Sequence, residues 1–128
     1  MIKFYRCNHC GNIIIKLHDS KVPVMCCGEA MTELTYNCTD AAVEKHVPVL
    51  ESNQQMVTVT VGSTLHPMTE EHYIEWIVLE TKKGNQIQYF NPSDEPKAVF
   101  ALTEDDEVIN VYAYCNLHGL WVNKVKEK

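Results

Sequence analysis

Hydrophobic and polar positions alternate along most of this chain with the period of a β-strand, and no stretch sustains the pattern of a long amphipathic helix. Val57, Val59 and Val61 interleave with Thr58 and Thr60 until Gly62-Ser63 ends the run, which reads as a half-buried strand. Tyr73–Thr81 is rich in β-branched and aromatic residues and predicts a strand with Ile74, Trp76 and Val78 on one face. Lys83-Gly84-Asn85 marks a turn before Gln86–Phe90, giving a hairpin. Asn91-Pro92-Ser93-Asp94 breaks the chain again, and Ala98–Leu102, Val108–Tyr114 and Leu120–Val125 supply further strands. Nearer the N-terminus, Ile13, Ile15 and Leu17 alternate with Ile14, Lys16 and His18. About seven short strands between turn signals predict a mainly β protein, an antiparallel β-sandwich of immunoglobulin-like type. An open barrel has the same periodicity and stands as the alternative.

The cysteines divide the chain. Residues 1–36 form a small N-terminal unit and residues 37–128 carry the sandwich, joined by a stretch near 37–45 without a strong pattern. So short a first segment cannot bury enough apolar surface to be stable alone, and a bound metal would contribute much of its folding energy. Cys7-Asn8-His9-Cys10-Gly11 has the form of a metal-binding knuckle, and Cys26-Cys27-Gly28 closes the site. Four thiolates suit tetrahedral zinc or a single iron. Cys26 and Cys27, being adjacent, must splay to reach one ion, which distorts the tetrahedron. Spacing leaves redox iron and structural zinc equally open. His9 and His18 read as solvated surface residues, and Cys38 as a half-buried thiol without a role.

A second donor group follows: His46, His66 and His72, with Cys115 and His118 separated by two residues in the stretch Cys115-Asn116-Leu117-His118. Pro67 holds His66 extended, a loop can bring His66 and His72 to one point, and a single turn can present Cys115 and His118 together. Gly119, Leu120 and Trp121 follow, suited to roofing a site. Imidazoles suit first-row metals and a single thiolate pushes electron density onto the metal. Five protein donors leave an octahedral ion one vacant position for a small molecule. Blue copper fits poorly, because it wants two histidines and a weak axial methionine, and none follows His118.

Composition narrows the class further. At 128 residues, 45% hydrophobic and 22% charged, the chain is that of an ordinary globular protein. No apolar run is long enough to cross a bilayer, and the N-terminus lacks a signal-peptide pattern. A cytoplasmic protein with cysteines used as metal ligands is therefore expected. The formal charge of −6 argues against nucleic-acid partners.

The N-terminal segment resembles desulforedoxin in its Cys7, Cys10, Cys26, Cys27 layout, which favours iron there. His66-Pro67-Met68-x-x-x-His72-Tyr73-Ile74-x-Trp76, Cys115-Asn116-Leu117-His118-Gly119-Leu120-Trp121 and Glu44-Lys45-His46-Val47-Pro48 resemble superoxide reductase. Over nearly its whole length the chain is similar to the two-iron form, the desulfoferrodoxins. The resemblance implies two non-haem irons per chain. One is held by the four cysteines; the other has His46, His66, His72 and His118 in its equatorial plane and Cys115 as axial thiolate. It implies one-electron reduction of superoxide to hydrogen peroxide, with two protons and no dioxygen released. By resemblance, Lys45 draws in the anion and orders a water for protonation, and Glu44 closes the vacant position after turnover. A rubredoxin-like electron donor and a homodimer are implied as well. Two other classes make distinct predictions. A zinc-stabilised binding module would be colourless and redox-silent. An electron carrier would show reversible iron chemistry without reacting fast with superoxide.

Overall fold

Nearly all the regular structure is strand, in a computed structural model that describes residues 1–37 and 41–126. Cys38, expected to be an idle thiol, lies outside the described residues. The chain divides into Met1–Thr35 and Tyr36–Lys128.

The first unit is built from strands of two or three residues: β1 (Phe4–Arg6), β2 (Ile13–Ile15), β3 (Met25–Cys26), β4 (Glu29–Ala30) and β5 (Thr32–Glu33). β1 lies between β2 and β5 in an antiparallel sheet, and β3 pairs with β4 in a tight hairpin. Among its described residues, Phe4 and Cys7 alone are fully buried apolar side chains. At ~1.5–3 kcal/mol for a large buried side chain, this cannot offset the entropy of ordering the segment. A metal held by its cysteines would supply what so small a core does not.

The second unit opens with one helical turn, α1 (Val43–His46), followed by β6 (Pro48–Asn53), β7 (Met56–Val61), β8 (Ile74–Thr81), β9 (Gly84–Tyr89), β10 (Lys97–Ala101), β11 (Val108–Cys115) and β12 (Gly119–Lys124). The strands form two antiparallel sheets, ordered β10-β7-β6 and β12-β11-β8-β9, which is the expected immunoglobulin-like sandwich in place of an open barrel. Val57, Val59 and Val61 from one sheet share a buried core with Ile77, Leu79, Val111 and Ala113 from the other, while Thr58 and Thr60 turn outward. Pairing of Pro48 with Val61, and of Cys115 with both Ile74 and Gly119, puts the ends of α1, β7 and β11 and the starts of β8 and β12 at one end of the sandwich.

Two local expectations are corrected. The β8–β9 loop is Lys82-Lys83, with Thr81 already opposite Gly84. The Lys83 amide, bonded to Asp106 Oδ1 and Thr81 Oγ1, fixes this tighter turn. Ile74, Trp76 and Val78 also do not share a face. The β8–β11 register shifts between Tyr114 opposite Trp76 and Cys115 opposite Ile74, which leaves Glu75 as an extra residue on β8. This bulge returns Ile74 to the core beside Ile77 and Cys115, while Trp76 stacks on Tyr114 with ring centroids 5.3 Å apart.

Candidate metal centres

In the first unit the Sγ atoms of Cys7, Cys10, Cys26 and Cys27 all lie within 4.8 Å of one another. The knuckle is closed by hydrogen bonds from Gly11 N to Cys7 O (3.0 Å) and from Cys7 N to Asn12 O (2.9 Å), with Gly11 at φ +83°. Cys27 and Gly28 both adopt left-handed backbone, at φ 53° and 79°, and this is how adjacent cysteines splay toward one point. Cys10 N donates to Cys7 Sγ (3.4 Å), and the amides of Cys10 and His9 hold the Cys7 thiol down at about 6. Hydrogen bonds shared with Cys7 and Cys10 push Cys27 up to about 12. Four thiols so crowded cannot all ionise without a cation among them, so the donor set fits a metal. His9 points elsewhere, to Glu29 at 3.1 Å, and His18 is exposed.

The second cluster is built at the shared end of the sandwich. His46 ends α1 and His66 follows β7, its amide bonded to Val61 O (2.8 Å). His72 precedes β8, Cys115 ends β11, and His118 lies in the turn to β12. Successive rings meet edge-on around a closed circuit. Centroid separations are 4.6 Å for His46–His66, 4.6 Å for His66–His72, 5.1 Å for His72–His118 and 4.9 Å for His46–His118. His46 and His72 face each other across it, 6.3 Å apart and inclined by 28°. Four imidazoles so arranged can each turn a nitrogen toward one common point. Cys115, fully buried, groups with His46, His66 and His72 from the core, and its Sγ stands 3.9 Å from His118 Nδ1.

Hydrogen bonding decides which nitrogens face inward. His46 Nδ1 donates to Ala42 O (2.7 Å) and His66 Nδ1 to Pro67 O (2.6 Å). In the neutral rings each Nε2 then carries a lone pair, yet the two Nε2 atoms are 3.1 Å apart. His118 Nδ1 lies 3.1 Å from the same His46 Nε2, and His72 Nε2 is buried with no partner. Protonation does not relieve the crowding, because burial lowers His46 and His72 and takes His66 down to about 4. The Nε2 lone pairs of His46 and His66 thus converge where burial disfavours protonation, which a cation between them relieves, and the set of imidazoles plus one thiolate fits iron. Burial raises the Cys115 thiol, while amides of His118 and Leu117 favour its ionised form. Met68 is already engaged, its Sδ accepting from Ile74 N at 3.4 Å, which removes the nearby candidate for a copper ligand.

Glu44 and Lys45 are exposed on α1 beside the cluster, and the Lys45 charge reaches His46 and His72, helping to lower both. Four contributors escaped the sequence reading in whole or part. The carbonyls of Ala42 and Pro67 carry no side-chain signal at all. Trp121, expected only as a roof, also donates Nε1–H to His118 O (3.1 Å) and lies 4.8 Å from His46, centroid to centroid. Gly62, read only as a strand end, is where α1 seats: a Cβ there would stand 2.6 Å from Glu44 O. That carbonyl accepts from Thr64 N (2.8 Å) and Ser63 Oγ (3.2 Å).

Comparison with known proteins follows the same division. Residues 38–124 match the family described as desulfoferrodoxin, and residues 2–34 match its N-terminal domain. A desulfoferrodoxin of Syntrophotalea carbinolica is 44% identical over 120 residues, covering 94% of each chain. A superoxide reductase of Pyrococcus horikoshii is 38% identical over 113 residues, covering 75% of this chain and 98% of that one. The crystal structure of the superoxide reductase from Treponema pallidum superposes with a TM-score of 0.81 at 39% identity, covering 97% of this chain and 99% of that one.

Proposed function

The chain belongs to the desulfoferrodoxin family, and from that premise we propose how its own residues serve a superoxide reductase. The protein is an oxidoreductase acting on superoxide, with two iron sites. His46, His66, His72, His118 and Cys115 hold the catalytic ion, and Cys7, Cys10, Cys26 and Cys27 hold the other. Iron in the histidine site supplies one electron to superoxide, which with two protons gives hydrogen peroxide and no dioxygen.

The remaining work falls to the protein. The Ala42 and Pro67 carbonyls keep the Nδ1 protons of His46 and His66 occupied, so that Nε2 faces inward. The amides of Leu117 and His118 stabilise the Cys115 thiolate. Trp121 excludes water from the His46–His118 side. The whole molecule repels an anion, with its formal charge of −6, so local attraction is required. Lys45, whose charge is felt at two of the histidines, provides it and orders a water for proton delivery. Glu44, its neighbour on α1, would supply a carboxylate that closes the site after turnover. Electrons arrive from a rubredoxin-like donor, and the chain works as a cytoplasmic homodimer. Among the described residues no helix is long and apolar enough to cross a membrane.

The observation that carries the metal assignment is the 3.1 Å approach of the His46 and His66 Nε2 atoms, whose Nδ1 protons are already committed. Stopped-flow mixing of the reduced, iron-loaded chain with superoxide tests the reading. One peroxide per superoxide and no dioxygen supports it; dioxygen release at half that yield points to dismutation and ends it. Lys45→Ala should slow the reaction and flatten its dependence on ionic strength. An unchanged salt slope would remove Lys45 from its role.

A further inference from the structure

The geometry points to Asn116 as the positioning residue that sets where His72 stands against Cys115 and His118, an inference resting on the reading of His72 as a ligand. His46 and His66 each have a ring nitrogen anchored to a carbonyl. His72 lacks such an anchor among the described residues, and its Nε2 is buried without a partner. Its ring is therefore placed by the backbone that carries it.

That backbone is gripped from both sides by one side chain. Tyr73 N donates to Asn116 Oδ1 at 2.9 Å, and Asn116 Nδ2 donates to Glu71 O at 3.0 Å. The carboxamide thus pairs with the residues flanking His72 as a peptide of a parallel strand would, one bond to each neighbour. A third bond, Asn116 N to Tyr73 O at 3.2 Å, adds main-chain support. Regular pairing of β8 with β11 stops at Ile74 opposite Cys115, so Asn116 extends the ladder by side chain beyond its end. The other bonds at His72 are local: Thr69 N (2.9 Å) and Thr69 Oγ1 (3.3 Å) to His72 O, and His72 N to Thr69 O and Oγ1 (3.2 Å each). A turn held only by itself could shift as a body relative to the metal site. Asn116 ties it to the segment that carries Cys115 and His118, and so fixes the spacing of three donors. Aspartate cannot substitute, because it keeps the acceptor for Tyr73 N but sets a carboxylate oxygen against the Glu71 carbonyl.

The test uses the full, iron-loaded chain with Asn116→Ala, Asn116→Asp, His72→Ala and the Asn116→Ala/His72→Ala double variant. The readouts are loss of iron from the histidine site to a chelator and the ferric-thiolate absorption band. Asn116→Ala should weaken iron retention there about 10- to 100-fold and shift the band, with iron in the four-cysteine site unaffected. The double variant should retain iron no worse than His72→Ala, because Asn116 acts through His72. Wild-type retention and spectrum in Asn116→Ala, or additive losses in the double variant, would overturn the inference. If His72→Ala itself retains iron normally, the fault lies with the reading of His72 as a ligand. Should Asn116→Ala fail to fold, Asn116→Asp carries the same comparison with one bond kept.

Discussion

Gly62→Ala probes the seat of the segment that carries Glu44, Lys45 and His46. A Cβ at residue 62 would lie 2.6 Å from Glu44 O, 3.0 Å from Val47 O and 3.1 Å from the Lys45 carbonyl carbon, whereas ordinary contact begins near 3.4 Å. All three obstacles are backbone, so no side-chain rotation relieves them. The Glu44 carbonyl cannot retreat freely either, since Thr64 N and Ser63 Oγ hold it. One methyl group must therefore displace α1 by close to an ångström or distort the turn, an overpacking that costs ~1–3 kcal/mol. For a unit of this size ~2 kcal/mol lowers the melting midpoint by about 8–16 °C. Both tryptophans, Trp76 and Trp121, lie in this unit, so their fluorescence follows its unfolding alone. Displacing catalytic groups by ~1 Å costs up to ~100-fold in rate, and a fall of at least about tenfold in the superoxide reaction is expected, with the iron content kept. An alanine variant that melts and reacts as the wild type does would refute the argument that this close approach positions α1.

Two further outcomes follow from the cluster itself. Trp121→Phe keeps an aromatic ring against His46 but leaves the His118 carbonyl without its indole donor; a loss of ~1–3 kcal/mol in thermal or urea stability and a shifted ferric-thiolate band are expected, and unchanged values for both would show the bond to be idle. The metal-free second unit should lose stability as pH falls from the ordinary histidine value of 6.5 toward 4. His66 is held neutral down to about 4 in the folded chain, so the unfolded chain takes up the proton first, and the lowered His46 and His72 act in the same direction. Urea midpoints across that window, flatter in His66→Gln, check this, and no slope in the wild type would contradict it.

What the sequence made legible, and what it did not, has a physical division. The Val57–Thr58–Val59–Thr60–Val61 alternation announces β7 because one face is buried and the other wet. Pro48–Asn53 carries no such signal: β6 is an edge strand, proline begins it and Glu51, Ser52 and Asn53 are exposed. The bulge at Glu75 turns Ile74 to the face opposite Trp76 without leaving any compositional trace. Strands of two residues, such as β3 and β4, are too short for a period to exist. At the site the candidate donors were legible because imidazole and thiolate side chains are few and fall in short, closely spaced groups. Their anchors were not, because a carbonyl from Ala42 or Pro67 is available from any residue, and only the fold decides which one meets a ring nitrogen.

The central claim is that four histidines and Cys115 hold a redox iron. Its most direct test is the optical spectrum before and after oxidation, with metal analysis on the same sample, for the purified chain and for Cys115→Ser. Iron in both sites, and a long-wavelength thiolate-to-ferric band that appears on oxidation and is missing in Cys115→Ser, is the predicted result. Zinc, or iron confined to the four-cysteine site with no such band, would contradict the account.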